Sequence, residues 1–153
     1  MYTREQASQI KQAFWTAFGQ YVSLHASAEG TKVNWVNYKT GFKHIYFRMR
    51  ADKKSAWIGI ELTDPDIEIQ ELFYEQFLQN KIYLESVLGE EWDWDLHTHD
   101  ENGRTISTIG KTIHGVSVFN EDNWPDLISF FKPRIIALDE FWTDARYSFE
   151  ALR

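Results

Sequence analysis

Cysteine is absent from all 153 residues, which removes disulfide staples, thiolate zinc sites and cysteine nucleophiles from consideration at once. Proline occurs three times and glycine eight times, too sparsely for a collagen-like or low-complexity chain. No apolar run approaches the ~20 residues that a membrane-spanning helix needs. The opening Met1-Tyr2-Thr3-Arg4-Glu5-Gln6 has neither the apolar region of a secretion signal nor the acid-poor character of a transit peptide. No membrane contact is expected, and a cysteine-free sequence of this kind reads as cytoplasmic. Positive charge is also short. Sixteen Lys and Arg face 23 Asp and Glu, a formal charge of -7. That is the wrong sign for a protein that gains affinity by displacing counterions from a phosphate backbone, so non-specific nucleic-acid binding is disfavoured, although the basic cluster Lys32, Lys39, Lys43, Arg48, Arg50, Lys53 and Lys54 keeps nucleic acid as a secondary candidate partner. Glycine-rich phosphate loops and a Gly-x-Ser-x-Gly elbow are missing too, leaving nucleotide hydrolysis and serine-hydrolase chemistry without support.

What is present in quantity is large apolar surface: 43% hydrophobic and 16% aromatic residues, among them 7 Trp, 7 Tyr and 11 Phe. A chain of this length buries ~70% of the surface it exposes when unfolded, so residues 1–153 are expected to form a single domain around one core. Thr3 and Gln6 make a capping box ahead of Ala7, Ile10, Phe14, Phe18 and Tyr21, the spacing of an amphipathic helix over 3–22. From Gly30 the period changes to two. Residues 33–38 and 44–50 read as a hairpin joined by Lys39-Thr40-Gly41, and 56–62 as a third strand. Pro65 and its flanking acids open a helix running to a C-terminal cap at Gly89. Strands over 91–99 and 104–113 follow, joined by Asp100-Glu101-Asn102-Gly103, with a further short strand at 117–119. The last third carries an apolar stripe from Leu127 to Tyr147 that Pro133 should kink or divide. The order α-β-β-β-α-β-β-α defines an α+β domain, a largely antiparallel sheet packed against three helices.

Three sets of residues are candidates for chemistry. Strict alternation over 93–99 would place Asp93, Asp95, His97 and His99 on one side of a strand, ~7 Å apart. Two imidazoles and a carboxylate there would suit zinc, manganese or iron, with His114 or Asp100 as a further ligand; the same four residues also suit a solvated polar face. No cofactor is otherwise expected. The second set follows from element order: α-β-β-β-α-β is the core order of the restriction-endonuclease-like nucleases, and the resemblance is topological. It would recruit Glu5, Asp52 and Glu61 with Lys53 or Lys54 to hold a divalent ion, although Thr63 stands where that pattern wants lysine. Third, Trp35, Tyr46 and Trp57 fall opposite Val36, Phe47 and Ile58. They mark a binding surface if that side of the sheet is uncovered.

Phe14-Trp15, the strand Trp57-Ile58-Gly59-Ile60-Glu61-Leu62, Leu88-Gly89 with Glu91-Trp92, and Ser129-Phe130-Phe131-Lys132-Pro133 together resemble a bacterial family of domains of unknown function, over essentially the whole chain. Members of that family stand alone or lie C-terminal to nuclease-like regions. The resemblance implies an accessory role and supplies no catalytic residues. The expectation is a non-catalytic binding module with a protein partner or a second copy of itself; a metal-dependent phosphodiester hydrolase, active or inactive, is the alternative.

Overall fold

The structure, a computed structural model, describes residues 2–153. Helix α1 spans Arg4–Val22 and begins on the expected capping box, in which the Thr3 side chain accepts from the Gln6 N–H and the Gln6 side chain accepts from the Thr3 N–H. Strands β1 (Ile45–Ala51) and β2 (Ser55–Leu62), helices α2 (Ile67–Gln79) and α3 (Lys81–Leu88), strands β3 (Asp93–His99) and β4 (Thr105–His114) and helix α4 (Trp124–Ala145) follow. Short 3₁₀ turns at Glu121–Asn123 and Arg146–Leu152 flank α4. The sheet is antiparallel throughout, in the order β1-β2-β4-β3. The fold is α+β.

All the helices that cover the sheet lie on one side of it. Ile45 and Phe47 of β1, Ile58, Ile60 and Leu62 of β2 and Ile109 of β4 point into that layer. There they meet Phe14 and Phe18 of α1, Phe77 of α2 and Phe131, Ile135, Leu138 and Trp142 of α4, each at most 4% exposed. Burying a side chain of this size stabilises by ~1.5–3 kcal/mol, and the shared core explains why α4 continues unbroken past Pro133. An interior proline costs ~3 kcal/mol, yet Phe130, Phe131, Ile135 and Leu138 anchor both halves of the helix in the same core.

Several sequence expectations are corrected. Residues 33–38 form turns and no strand, because Trp35 is drawn into the core: its ring is 2% exposed and its indole N–H donates to the His25 carbonyl at 3.0 Å. The hairpin loop expected at residues 39–41 is instead a turn held by Thr40, whose hydroxyl donates to the Ile45 carbonyl at 2.8 Å. The long helix over 64–89 is two helices. Asn80 caps the first with its N–H bonded to the Phe77 carbonyl, and it caps the second without a side-chain hydrogen bond. Residues 117–119 are irregular.

Candidate functional site

Because the helices occupy one face, alternation along β1 and β2 delivers Tyr46, Arg48, Arg50, Trp57 and Glu61 to the other. Cross-strand register adds Asp93, Asp95 and Thr98 from β3 and Ile106, Thr108 and Gly110 from β4. The β3–β4 loop, Asp100 to Arg104, borders this face and closes one side of a groove of about 820 Å³.

The floor owes its shape to two glycines. Gly59 and Gly110 are directly paired across β2 and β4, and the Trp57 indole lies flat over both. A Cβ added at Gly59 would come within 2.5 Å of the ring, and one added at Gly110 would overlap it. Neither glycine has a positive φ, so close approach is what requires them. Arg50 places its guanidinium carbon 5.0 Å from the centre of Trp57, and Arg48 places its own 4.3 Å from the centre of Tyr46. Between them stands Glu61, whose side chain is only 6% exposed. It pairs with Arg48 Nε at 2.8 Å through one oxygen and with Arg50 Nη2 through the other. Both arginine side chains remain 45% exposed. The buried carboxylate is thus satisfied by two partners, as burial demands, while each guanidinium contributes one nitrogen to it and has further N–H donors left. On the opposite wall, Asp100 accepts the backbone N–H groups of Asn102 and Arg104 at 2.9 Å each. The Arg104 amide hydrogen bond, helped by that of Asn102, outweighs burial and holds this carboxyl below its ordinary range. The charge of Arg50 acts in the same direction from across the groove.

Of the three predicted aromatics, Tyr46 and Trp57 line this groove, whereas Trp35 is a core residue and cannot offer a binding surface. The nuclease set does not converge. Glu5 is exposed in the first turn of α1. Asp52 lies in the β1–β2 turn and binds Lys11 at 2.8 Å, with Lys53 and Lys54 exposed beside it. Glu61 is five residues up β2 from Ala56, the partner of Ala51, or ~17 Å along the strand. Both its oxygens face arginine.

The strand β3 set also divides. An irregularity between Asp95 and Thr98 puts His97 in a left-handed conformation, φ 51°, as an extra residue opposite β4. Its N–H donates to the Ser107 hydroxyl at 3.0 Å, and its Nε2 donates to the Ile67 carbonyl at 3.2 Å. The ring therefore reaches toward α2, away from Asp93 and Asp95. His99 is paired with Thr105, and His114 lies nine residues further along β4, ~30 Å away. Among the described residues, no three His, Asp or Glu side chains are grouped to hold a metal ion.

Sequence reasoning placed Arg48 and Arg50 in a basic cluster without giving them a site, and it missed the two glycines. Arg48 and Arg50 were visible as alternating residues of a strand, but their partner Glu61 is fixed only by register. It also missed Gln70, fully buried in α2. Its amide donates to the Asp64 and Thr105 carbonyls at 3.1 and 3.0 Å and its oxygen accepts from Ser107 at 2.6 Å, so α2, β4 and the β3 bulge are one polar unit.

A four-stranded antiparallel sheet covered by helices on one face and grooved on the other defines an α+β domain with an open-faced candidate site. The chain belongs to a family described as a domain of unknown function (DUF4268), whose model matches residues 10–146. Comparison with curated proteins and with solved structures finds no match. Among the described residues no helix is long and apolar enough to cross a membrane.

Proposed function

We propose that this domain is a non-catalytic binding module of the cytoplasm, and that it recognises an anionic group in the groove on its open sheet face. The observation that carries the reading is the fixed pair of guanidiniums. Arg48 and Arg50 are held by one buried carboxylate, Glu61, and by the rings of Tyr46 and Trp57, yet remain half-exposed to the groove. Side chains ordered before binding lose less entropy on binding, and a planar guanidinium matches a carboxylate or phosphate. Hydrolysis has weaker support, since the carboxylates nearest the arginines are neutralised or dispersed. An accessory role fits a site that binds and holds.

The test is thermal unfolding with inorganic phosphate, a dicarboxylate, mononucleotides and an acidic peptide. It is run beside a hydrolysis assay on an activated phosphodiester with magnesium or manganese. Stabilisation by at least one anion, lost in Trp57→Ala, is expected with no turnover. Metal-dependent turnover, or no stabilisation by any member of the panel, overturns the reading.

A further inference from the structure

The groove has two unlike walls, and together they specify a ligand. Arg48 and Arg50 stand on the β1 side, and Asp95 and Asp100 on the β3 and hairpin side. The full lining has three arginines, Arg48, Arg50 and Arg104, against four carboxylates, Glu61, Asp95, Asp100 and Glu101. A polyanion laid along this groove would meet carboxylates as often as arginines, and the formal charge of -7 opposes it further. A ligand with a single compact anionic end and an uncharged end rich in N–H and O–H donors satisfies both walls. The floor adds a requirement of shape. The Trp57 indole is pressed flat on Gly59 and Gly110, with Ile106 and Thr108 beside it, and guanidinium and indole faces favour a flat, conjugated body. A cavity of about 820 Å³ is of the size that accepts small organic ligands, ~300–1,000 Å³.

We propose that the groove binds a nucleoside 5′-monophosphate group, with the phosphate on Arg48 and Arg50, the base beside Arg50 on the part of the Trp57 floor that its guanidinium leaves uncovered, and donor groups of the base or ribose directed to Asp95 and Asp100. The inference rests on the reading of the open face as an anion-binding site and deepens it. Two sources carry this chemistry, a free mononucleotide and the 5′-phosphorylated terminal nucleotide of a single strand whose remaining phosphates stay outside the groove. An acidic peptide is disfavoured because its additional charges would face Asp95 and Asp100.

The experiment is a fluorescence and calorimetric titration of the full chain with adenosine 5′-monophosphate, adenosine, inorganic phosphate, an acidic peptide, and short single strands with and without a 5′-phosphate. Adenosine 5′-monophosphate is expected to saturate and to change the emission of Trp57, identified by its disappearance in Trp57→Phe, with adenosine and phosphate each weaker by about tenfold or more, the loss of roughly one charge-assisted contact. Arg50→Lys keeps a cation beside Glu61 and so protects the fold, but loses the planar fork. It is expected to weaken the nucleotide about tenfold while leaving the urea unfolding midpoint near that of the wild type. A free nucleotide that binds as well as the phosphorylated strand identifies the first source; a tighter phosphorylated strand identifies the second. Equal binding of strands with and without the 5′-phosphate overturns the proposal, as does a nucleotide affinity unchanged in Arg50→Lys. Preference for the acidic peptide overturns the nucleotide assignment but leaves the anion-binding reading standing.

Discussion

Replacing Gly110 with alanine tests the floor of the groove without touching a charge. The new Cβ would overlap Cε2, Cζ2 and Nε1 of Trp57 and meets no other side chain among its nearest neighbours. Ordinary contact begins near 3.4 Å, so the indole must lift by about 1 Å or more, giving up its dispersion contacts with the sheet. Overpacking of this kind costs ~1–3 kcal/mol. With ~2 kcal/mol as the central figure and ~2–4 °C of melting temperature per kcal/mol in a domain of this size, a fall of about 4–8 °C is expected. Trp57→Ala alone removes a half-buried ring and should cost ~2 kcal/mol, below the ~3–5 kcal/mol of a fully buried tryptophan. The double variant is the decisive one, because with the ring gone the methyl introduced by Gly110→Ala has no indole to displace. Its stability should equal that of Trp57→Ala, a coupling of about 2 kcal/mol in urea unfolding. If the two costs simply add, or if Gly110→Ala is as stable as the wild type with unchanged tryptophan emission, the indole does not rest on Gly110 and the described floor is wrong.

Glu61→Gln should destabilise by ~2 kcal/mol, less than the ~3–5 kcal/mol of a fully buried ion pair because both arginines are half-exposed; a loss under ~0.5 kcal/mol in chemical unfolding would show that the carboxylate does not anchor them. Tyr38 donates to Asp139 at 2.5 Å, and its burial, with that hydrogen bond, pushes the phenol above the ordinary tyrosine range. Its contribution is full below about pH 10 and falls as pH rises toward the higher folded value, so Tyr38→Phe should flatten the alkaline loss of stability. An unaltered pH profile would refute this. Tyr83, bonded to Asp144 at 2.6 Å, is pushed up to about 12 chiefly by that hydrogen bond. Ultraviolet titration of Tyr83→Phe should lack one late-ionising phenol, and removal of an earlier one would contradict the assignment. Burial would raise the Glu90 carboxyl, but Arg134, bound to both its oxygens at 2.9 and 2.8 Å, and Trp92 together lower it. That stability is present above about pH 4.5 and lost as pH falls through the lower folded value, so Arg134→Ala should lose less on acidification than the wild type. For chelator-treated protein, no divalent ion should raise the melting temperature; a rise that vanishes in the His97→Ala/His99→Ala double variant would restore the histidine site.

Local chemistry made much of this fold readable. The Thr3/Gln6 box set the start of α1, and alternation located β1, β2, β3 and β4 to within a few residues. Residues 33–38 misled because Val33 with Trp35, and Val36 with Tyr38, mimic strand spacing while packing against the core beneath a loop, and a period of two over so few residues does not separate the cases. The bulge at His97 depends on how β3 meets Ser107 of β4, a relation between distant segments that no local pattern encodes. Half of the candidate site was legible, in Tyr46 and Trp57 as a binding surface and in Glu61, Asp95 and His99, named as ligand candidates, which line the same groove. The other half needed register, since only pairing brings Gly110 to Gly59 and Glu61 between Arg48 and Arg50.

The open face is tested most directly by nuclear magnetic resonance, following the Trp57 indole N–H and the side-chain Nε–H signals of Arg48 and Arg50 while adenosine 5′-monophosphate is added. Saturable shifts in these three signals, with the core indoles of Trp35 and Trp142 unmoved, are expected if the groove is the binding site. Signals that stay fixed while the ligand perturbs another surface, or that fail to move with every anion of the panel, would contradict it.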